Sequence, residues 1–337
     1  MRVLYAIQAT GNGHVSRARD IVPILLDQSI ELDLLLSGRQ ADMDLPYPIK
    51  YRYKGLSFTF GKRGGIDFFS TFKHFSITKL IQEFKDFSVK DYDLIISDFE
   101  PISAWKAKWF GVPCVGMSHQ SAVLANGVPL PKRSFSGILG KMILKYYAPT
   151  DHQYGFHFKK YNKNIFTPVI RKEVRELEPT NKGYYTVYLP AFSDTLLCAV
   201  LSHFPKVEWQ VFSKHNTHEV KTKNIHIQPV NNEAFLNSLT HCKGVLCGAG
   251  FETPAEALFL KKKLMVIPMK GQFEQQCNAE VLREMGVPVI PTLHQKYIYH
   301  IQEWLTSNQY IEISFPDETS EIIQAILQRH LFGKKEV

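Results

Sequence analysis

The chain has 337 residues, with 40 Lys and Arg against 32 Asp and Glu, a net charge of +8, and a hydrophobic fraction of 45%. The length exceeds a minimal domain and suits two α/β units that each bury a core, and the ordinary composition excludes low-complexity and solenoid-repeat proteins. The positive charge favours acidic ligands, among them nucleotide diphosphates and anionic lipid surfaces, while missing base-reading modules argue against nucleic acid as a partner.

Both halves of the chain alternate predicted strands and helices. In the first half we predict strands at Arg2–Gln8, Glu31–Leu36, Tyr92–Ser97 and Cys114–Ser118, with helices from about His14 and from Pro101. In the second half we predict strands near 185–189, 209–212, 225–229, 244–247, 264–267 and 287–290, with helices near 232–241, 254–260 and 274–285. This alternation is typical of parallel sheets, whose carboxyl ends carry binding sites. We therefore expect both halves to face a common cleft.

A segment rich in Lys, Asn, Glu and Pro, Tyr161–Lys182, is predicted to link the halves. This gives an N-terminal Rossmann-like domain at 1–160 and a C-terminal Rossmann-like domain at 161–318. The remaining residues, 319–337, carry an amphipathic pattern and predict a final helix, with packing against the N-terminal domain as one arrangement.

The sequence enters its first strand at Arg2 without a signal-peptide pattern, and no apolar run is long enough to span a bilayer. The cysteines are odd in number and lie mostly in apolar segments, which indicates reduced core residues. We therefore expect a cytoplasmic protein, with a peripheral position on the inner face of the plasma membrane as an alternative.

A glycine-rich segment follows the first strand and reads Gln8-Ala9-Thr10-Gly11-Asn12-Gly13-His14-Val15-Ser16-Arg17. Its place between strand and helix is typical of a ligand loop, so Gly11, Asn12 and Gly13 are expected to face the ligand. The dinucleotide fingerprint is incomplete, because Ser16 occupies the third glycine position. Arg39 could meet a 2′-phosphate, which leaves an NADP enzyme as an alternative.

His14 is the first candidate for a general base. The positive end of a helix favours the neutral imidazole, which could take a proton from an acceptor hydroxyl, although a histidine bonded to the backbone fits the position equally well. Asp98 ends a predicted strand and could act as a second base, orient His14, or cap the helix that begins at Pro101. His119, at the end of the next strand, is a third candidate to face the cleft.

The most informative segment lies in the second half, at Cys247-Gly248-Ala249-Gly250-Phe251-Glu252-Thr253-Pro254-Ala255-Glu256. Gly248 and Gly250 allow a sharp turn, and Thr253-Pro254 is predicted to open a helix whose free N–H groups favour an anion. Glu256 fits a capping box with Thr253. Alternatively, its carboxylate accepts hydrogen bonds from both ribose hydroxyls, a role that Glu252 could also take.

The next predicted strand ends in a loop with Gln272, Gln275 and Gln276, whose amides can hydrogen-bond sugar hydroxyls. Parallel strands end at the same edge of a sheet, so the phosphate and sugar pockets would lie side by side. The sequence therefore predicts a nucleotide-sugar site.

The combination of Gly-x-Gly, Glu256 and the block Gln275-Gln276-x-Asn278-Ala279 resembles inverting glycosyltransferases of the GT-B fold, in which two Rossmann-like domains face a central cleft. It is most similar to the peptidoglycan lipid-linked N-acetylglucosaminyltransferase family. The segments Gly-Asn-Gly-His-x-Ser-Arg and Ser-Asp-Phe-Glu-Pro resemble a little-characterised group of bacterial predicted glycosyltransferases.

The resemblance implies that Glu256 binds ribose and that Gln275 and Gln276 bind the donor sugar. It also implies that the helix start at Gly248–Gly250 holds the diphosphate, and that the loop with His14 faces the acceptor and the diphosphate. One segment departs from the family pattern, because the Gly-Ser-rich turn after the first C-terminal strand is replaced by Leu189-Pro190-Ala191-Phe192-Ser193. Ser193 is the residue of that turn expected to reach a phosphate.

The segment Lys132–Tyr147 mixes basic and large apolar residues at helical spacing. It fits a core-packed helix with a solvated basic edge, or a surface that rests on an anionic membrane beside a lipid-linked acceptor.

We therefore expect a hexosyltransferase that transfers a sugar from a nucleotide-diphosphate sugar, first of all a UDP-sugar, to the hydroxyl of a glycan or lipid-linked acceptor with inversion. Helix-start N–H groups would stabilise the leaving diphosphate, so neither a protein-bound metal nor a cofactor is expected. A nucleotide-sugar 2-epimerase of the same fold and a non-catalytic nucleotide- or sugar-binding protein are the alternatives.

Overall fold

The computed structural model describes residues 1–10, 12–38, 45–54, 77–132 and 135–333. Within them, the first half forms a seven-stranded sheet in the order β3-β2-β1-β4-β5-β6-β7, with every neighbouring pair parallel. Its strands are β1 (Arg2–Gln8), β2 (Glu31–Ser37), β3 (Tyr51–Tyr53), β4 (Leu94–Asp98), β5 (Cys114–Ser118), β6 (His152–Phe156) and β7 (Ile165–Phe166). The central strand β1 is apolar along most of its length because helices cover both faces of a parallel sheet.

The helices of the first half are α1 (Asn12–Leu26), α2 (Ile77–Lys85), α3 (Pro101–Phe110), α4 (Gln120–Val123) and α5 (Phe135–Tyr146). Local sequence sets the ends of α3. The Glu100 carboxylate accepts hydrogen bonds from the N–H groups of Ile102 and Ser103, and Pro101 occupies the first turn, where no donor is lost. Gly111 ends the helix with a φ of 70°, a conformation that favours glycine.

The second half forms a six-stranded sheet in the order β10-β11-β9-β8-β12-β13, parallel except for the pair β10 and β11. Its strands are β8 (Tyr185–Tyr188), β9 (Trp209–Ser213), β10 (Val220–Thr222), β11 (Ile225–Pro229), β12 (Gly244–Gly248) and β13 (Lys263–Ile267). The two mostly parallel sheets with crossover helices confirm the predicted α/β class. The strand predicted at 287–290 is wrong, because this segment contributes only a single bridge, between Val266 and Val289.

The helices of the second half are α6 (Lys172–Arg175), α7 (Asp194–Leu201), α8 (Asn232–His241), α9 (Glu252–Phe259), α10 (Phe273–Glu284), α11 (Ile298–Thr306) and α12 (Thr319–Leu327), followed by a π-helical turn at Gln328–Phe332. Among the described residues no helix has the length and apolar character needed to cross a bilayer.

The segment predicted as a linker contains regular structure, since β7 extends the first sheet and α6 follows it. The chain then returns to the first half at its end. Helix α12 packs against α1, and the Tyr154 hydroxyl of β6 hydrogen-bonds His330 Nε2 at 2.7 Å. The domain boundaries at 160 and 318 stay a prediction, because the last helix and the first share one apolar core.

Helix α5 belongs to the segment Lys132–Tyr147, which was predicted either to pack in the core or to rest on a membrane. It is packed on one side and exposed on the other. Gly140 lies against Phe273 of α10, so closely that a Cβ on Gly140 would stand 2.3 Å from the Phe273 Cβ. Ile138, Leu139 and Met142 are exposed on α5. The helix therefore joins the two halves and still presents apolar side chains to solvent.

Candidate active site

A cleft of about 1020 Å³ lies at the carboxyl ends of the strands and is lined by residues of both halves. The loops after β1 and β5 contribute from the first half, and the loops after β12 and β13 contribute from the second. Most of the predicted site residues line it, namely Asn12, Gly13, His14, His119, Gly250, Glu252, Glu256, Gln272 and Gln275. Residues that are far apart in sequence therefore meet in one cleft, as the positions of the predicted strand ends indicated.

Other predicted residues lie beside the cleft. Gly248 lines a smaller adjoining cavity of about 90 Å³, which Gly250 and Gln275 also line. Ala249 is buried between them, and its carbonyl accepts a hydrogen bond from Asn278 Nδ2 at 3.1 Å. Gln276 lines neither cavity, because one residue along a helix turns the side chain away from the face of its neighbour. Gly11 and Arg39 fall outside the described residues.

The turn after β8 meets the cleft through Pro190 and Ala191. Ser193, the predicted phosphate contact, instead caps α7, because its Oγ accepts a hydrogen bond from Leu196 N at 3.4 Å. Ser193 lines neither of the two cavities. Its hydroxyl therefore stabilises a helix end at the edge of the site.

His14 and Asp98 form a hydrogen-bonded pair, with 2.7 Å between Nδ1 and Oδ1. Asp98 ends β4 and is fully buried, whereas the His14 ring reaches the cleft from the first turn of α1. An ionised carboxylate only accepts hydrogen bonds, so a neutral His14 carries its proton on Nδ1 and leaves Nε2 basic. Of the roles left open for Asp98, orienting His14 fits this geometry, and the capping role is wrong because Glu100 caps α3.

Asp98 stays ionised although it is buried. Burial acts to raise the pKa of Asp98, but the positive charge of Arg17 and the contact with His14 outweigh it and lower that pKa below the ordinary aspartate value. Arg17 Nη2 donates to both carboxylate oxygens, at 2.7 and 2.9 Å. Arg17 is the last residue of the glycine-rich segment, but the sequence does not show that it is buried. A helical arginine can be assigned to the core or to the surface only when the buried face of the helix is known.

Glu252 begins α9, so the helix starts before the predicted Thr253-Pro254. The predicted capping box is wrong for this reason, since Thr253 lies inside the helix and Phe251 occupies the capping position. Glu252 Oε1 accepts a hydrogen bond from Arg17 Nη1 at 2.6 Å. Burial raises the pKa of Glu252 to about 8, against the lowering effect of Arg17.

Glu256 has a partner that the sequence did not indicate. Arg171 Nε donates to Oε1 at 2.6 Å and Arg171 Nη2 donates to Oε2 at 2.9 Å, and both side chains are buried in the wall of the cleft. Arg171 belongs to the segment predicted as a linker, where a basic residue is expected to be solvated. Each carboxylate oxygen keeps a second lone pair, so Glu256 can accept further hydrogen bonds from a ligand in the cleft.

Gln272 and Gln275 organise the start of α10. The side chain of Gln272 caps the helix by accepting from Gln275 N, and Gln275 Oε1 accepts from Met269 N at 2.9 Å. Both residues line the cleft. Their amide NH₂ groups are donors suited to sugar hydroxyls.

His119 connects the two halves. Its ring stacks on Phe251 with centroids 3.9 Å apart, Nδ1 lies 2.8 Å from the Phe156 carbonyl, and Nε2 lies 2.8 Å from Asn278 Oδ1. Burial lowers the pKa of His119. Both ring nitrogens have hydrogen-bond partners in the protein. We therefore assign His119 to the floor of the cleft and not to direct binding of the ligand.

The amino ends of α1, α9 and α10 all meet the cleft. Free N–H groups and the helix dipole make such ends favourable for anions. Within the described part of the chain, no cluster of His, Cys, Asp and Glu could hold a metal ion. The carboxylates of an Asp-x-Asp sequence can bind a divalent metal ion. One such sequence, Asp91-Tyr92-Asp93, precedes β4, at the edge of the sheet opposite the cleft, and a second at 42–44 lies outside the described residues.

Residues 1–305 match the family model described as glycosyl transferase family 1. The chain belongs to glycosyl transferase family 1. It is therefore a glycosyltransferase, and the predicted family resemblance is confirmed. No curated protein matches it in sequence.

Solved structures similar to this family member share the GT-B fold, so the predicted fold is confirmed. MurG of Acinetobacter baumannii is 14% identical with a TM-score of 0.58, over 97% of this chain and 99% of that chain. SsfS6 of Streptomyces sp. SF2575, complexed with thymidine diphosphate, is 12% identical with a TM-score of 0.57, over 98% and 96%. A UDP-N-acetylglucosamine 2-epimerase is 11% identical with a TM-score of 0.57, over 100% and 97%.

Proposed function

We propose that this glycosyltransferase moves a sugar from a nucleotide-diphosphate sugar, first of all a UDP-sugar, to an acceptor hydroxyl with inversion at the anomeric carbon. The observation that carries the proposal is the His14 and Asp98 pair, whose His14 ring lines the same cleft as the amino ends of α9 and α10. A base and an anion-binding surface in one cleft suit direct displacement of a diphosphate.

In this mechanism His14 Nε2 takes the proton of the acceptor hydroxyl as its oxygen attacks the anomeric carbon. The new bond to the acceptor oxygen forms while the bond to the diphosphate oxygen breaks, and the electron pair leaves with the nucleotide diphosphate. Asp98 stabilises the imidazolium that results, as an orienting carboxylate does in hydrolase triads. Helix-start N–H groups stabilise the charge on the leaving diphosphate.

The donor half supplies the remaining contacts. Glu256 accepts hydrogen bonds from the ribose hydroxyls through its free lone pairs while Arg171 holds the carboxylate in place. Gln272 and Gln275 donate to hydroxyls of the donor sugar, and Gly250 allows the diphosphate to approach the start of α9. The chemistry uses no resident cofactor.

A lipid-linked or other cell-envelope acceptor is supported by the surface of the first half. On α5, Ile138 is 58% exposed and Met142 is 54% exposed, beside the exposed Lys141 and Lys145. On α3, Trp109 is 76% exposed. Apolar and aromatic side chains flanked by lysines suit a peripheral position on an anionic membrane surface.

The experiment is a thermal-shift and calorimetric screen of the protein against UDP, GDP, TDP, CDP and their sugar conjugates, followed by transfer assays with the donor that binds. A ligand at a hundred times its Kd adds about 2.7 kcal/mol to the free energy of unfolding. Selective binding of one nucleotide diphosphate, and a product of inverted anomeric configuration by NMR, are the expected results. Binding of none of these nucleotides, or a product of retained configuration, contradicts the proposal.

Similarity in fold to the UDP-N-acetylglucosamine 2-epimerase over the whole chain favours one alternative, a nucleotide-sugar 2-epimerase. Incubation of the bound donor without any acceptor separates the two activities. An epimerase interconverts the two nucleotide sugars, whereas a transferase leaves the donor intact or hydrolyses it slowly.

A further inference from the structure

Arg17, one helical turn after His14, joins the two halves of the cleft. Its Nη2 holds both oxygens of Asp98, and its Nη1 donates to Glu252 Oε1 at 2.6 Å. Asp98 belongs to the first sheet, whereas Glu252 begins α9 of the second half. One guanidinium therefore spans the catalytic pair of the first half and the helix start of the second.

This contact depends on a close approach of the two helix starts. Gly13 favours it, because a Cβ on Gly13 would stand 3.0 Å from Glu252 Cγ and would push that side chain back. Arg17 itself is buried, with its Cζ 5.6 Å from the centre of the Phe156 ring. A buried guanidinium needs an anionic partner, which is the ionised Asp98, because an uncompensated charge inside a protein is costly.

We propose that Arg17 is a positioning residue that holds Asp98, and through it His14, in the active arrangement while its other arm contacts Glu252 at the start of α9. The inference rests on the proposed function, in which His14 is the base. With Glu252 in place, both arms of the guanidinium fork are engaged and the Asp98 carboxylate has a fixed direction. Without Glu252, Arg17 Nη1 loses its acceptor. The second half of the protein then no longer helps to fix the direction of the Asp98 carboxylate.

The charges around Arg17 predict a pH signature. Arg17 Nη2 lies 3.2 Å from His14 Nδ1, Glu252 faces it from α9, and the Tyr5 hydroxyl lies 3.5 Å from Asp98 on the sheet side. The charge of Arg17 helps to lower the pKa of Asp98, so removing the guanidinium raises that pKa, and a protonated Asp98 no longer acts as the carboxylate acceptor for His14 Nδ1. The acid limb of the pH–rate profile should move to higher pH.

The test compares Arg17→Met, Arg17→Lys and Glu252→Gln in the transfer reaction. In Arg17→Met, kcat should fall by about a hundredfold, as expected for a misaligned catalytic group, and the acid limb should move to higher pH. The donor KM should change by less than about threefold, because a transition-state contact is lost rather than donor binding. Arg17→Lys should recover part of kcat. Glu252→Gln should lower kcat less than Arg17→Met does, since Asp98 keeps its partner and an amide oxygen can still accept from Arg17 Nη1.

Arg175 offers a matched control. It is a partly buried arginine that donates to the carbonyls of Ile170 and Phe315, and it does not line the cleft. Arg175→Met should lower the melting temperature without moving the pH profile. Near-normal kcat and an unshifted acid limb in Arg17→Met, or an identical response in Arg175→Met, would overturn the inference.

A spectroscopic readout separates this inference from the proposed function. In protein with ¹⁵N-labelled histidine and saturating UDP, His14→Gln identifies the His14 signals among the 13 histidines. We expect the Nδ1–H tautomer in the native protein and a mixture of tautomers in Arg17→Met. An unchanged tautomer overturns the role of Arg17 even if transfer occurs. A changed tautomer in a protein that turns over no nucleotide sugar supports the positioning role and rejects the proposed function.

Discussion

Arg171 and Glu256 form a bidentate ion pair in the wall of the cleft, with Arg171 Nε 2.6 Å from Glu256 Oε1 and Arg171 Nη2 2.9 Å from Glu256 Oε2. The pair ties the segment between the two sheets to α9. Arg171 also donates to Glu173 and Asn232 through Nη1. A residue that the resemblance assigns to ribose binding is thus also part of the framework that holds the donor half in shape.

Glu256→Ala should destabilise the protein by about 3 kcal/mol, the lower end for a broken buried pair, because Arg171 loses its bidentate partner and keeps only Glu173 and Asn232 on Nη1. Urea denaturation measures this loss. The double variant Arg171→Met with Glu256→Met should recover most of it, since an apolar pair carries no desolvation penalty. If Glu256→Ala is as stable as the native protein, the pair has no structural role.

His14→Ala should lower turnover by about a hundredfold or more, which is the usual contribution of a general base. Asp98→Asn should also lower kcat strongly, because an amide can donate to Nδ1 and so favour the wrong tautomer of His14. Steady-state kinetics with the donor found in the ligand screen provide the measurement. Near-normal kcat in His14→Ala excludes His14 as the base, whatever the effect of Asp98→Asn.

Glu252 predicts a dependence of stability on pH. Burial raises the pKa of Glu252 to about 8 from the ordinary 4.5, so between these values the folded protein keeps a proton that the unfolded chain has lost. Stability therefore falls as pH rises from about 4.5 to 8, and the contribution is constant above that range.

Glu252→Gln removes this titration. The difference in melting temperature between Glu252→Gln and the native protein should increase in favour of the variant from pH 5 to pH 8, about the range set by the two pKa values. Thermal unfolding monitored by circular dichroism across that range is sufficient. A difference that does not vary with pH shows that the Glu252 carboxyl is not perturbed.

Gly140→Ala tests the contact between α5 and α10. The new Cβ would stand 2.3 Å from the Phe273 Cβ, so the helices must separate, with an expected cost of about 1–3 kcal/mol despite the better helix propensity of alanine. Phe273→Gly in the same background should relieve the clash, because glycine, unlike alanine, lacks the Cβ that the new methyl group meets. A double-mutant cycle by urea denaturation measures the coupling between the two positions, and additive effects would contradict the contact.

The exposed face of α5 predicts binding to anionic lipid. Met142→Glu should weaken sedimentation with phosphatidylglycerol vesicles at low salt, because it places a negative charge on the apolar face between two lysines. Tyr299, which is 68% exposed on α11, offers a control, and Tyr299→Glu should sediment like the native protein. If the native protein does not sediment with these vesicles, the membrane position is rejected.

The fold was predictable from the sequence because its strands are short apolar runs followed by turn residues. The predicted bounds of β1 and β5 agree with the structure, and those of β2, β4 and β12 differ only at their ends. The error at 287–290 has a physical reason, since an apolar run can be buried beside a sheet and pair with it at one residue only. The sequence shows that these residues are apolar, but it does not show how many of them form hydrogen bonds to the neighbouring strand.

The candidate site was predictable where a residue follows a strand directly. His14 and Glu252 could be placed at the cleft, and Asp98 behind His14, because parallel strands end at one edge. The partners of these residues could not be predicted. Arg17 and Arg171 pair with acids that are 235 and 85 positions away, and nothing in the local sequence reports such distances. Ser193 shows the opposite case, since a hydroxyl before a helix can cap it as well as bind phosphate.

The return of α12 to α1 sets how the protein can be divided. A fragment ending at residue 160 would lack the helix that covers α1 and would expose apolar side chains, among them the partners of Ile322 and Ile326 in the shared core. The chain can instead be cut in the exposed turn at 181–183. Two fragments divided there and produced together should reassemble through the contact between α12, carried by the second fragment, and α1, carried by the first. The enzyme is thus suited to fragment complementation, in which activity reports the association of its halves.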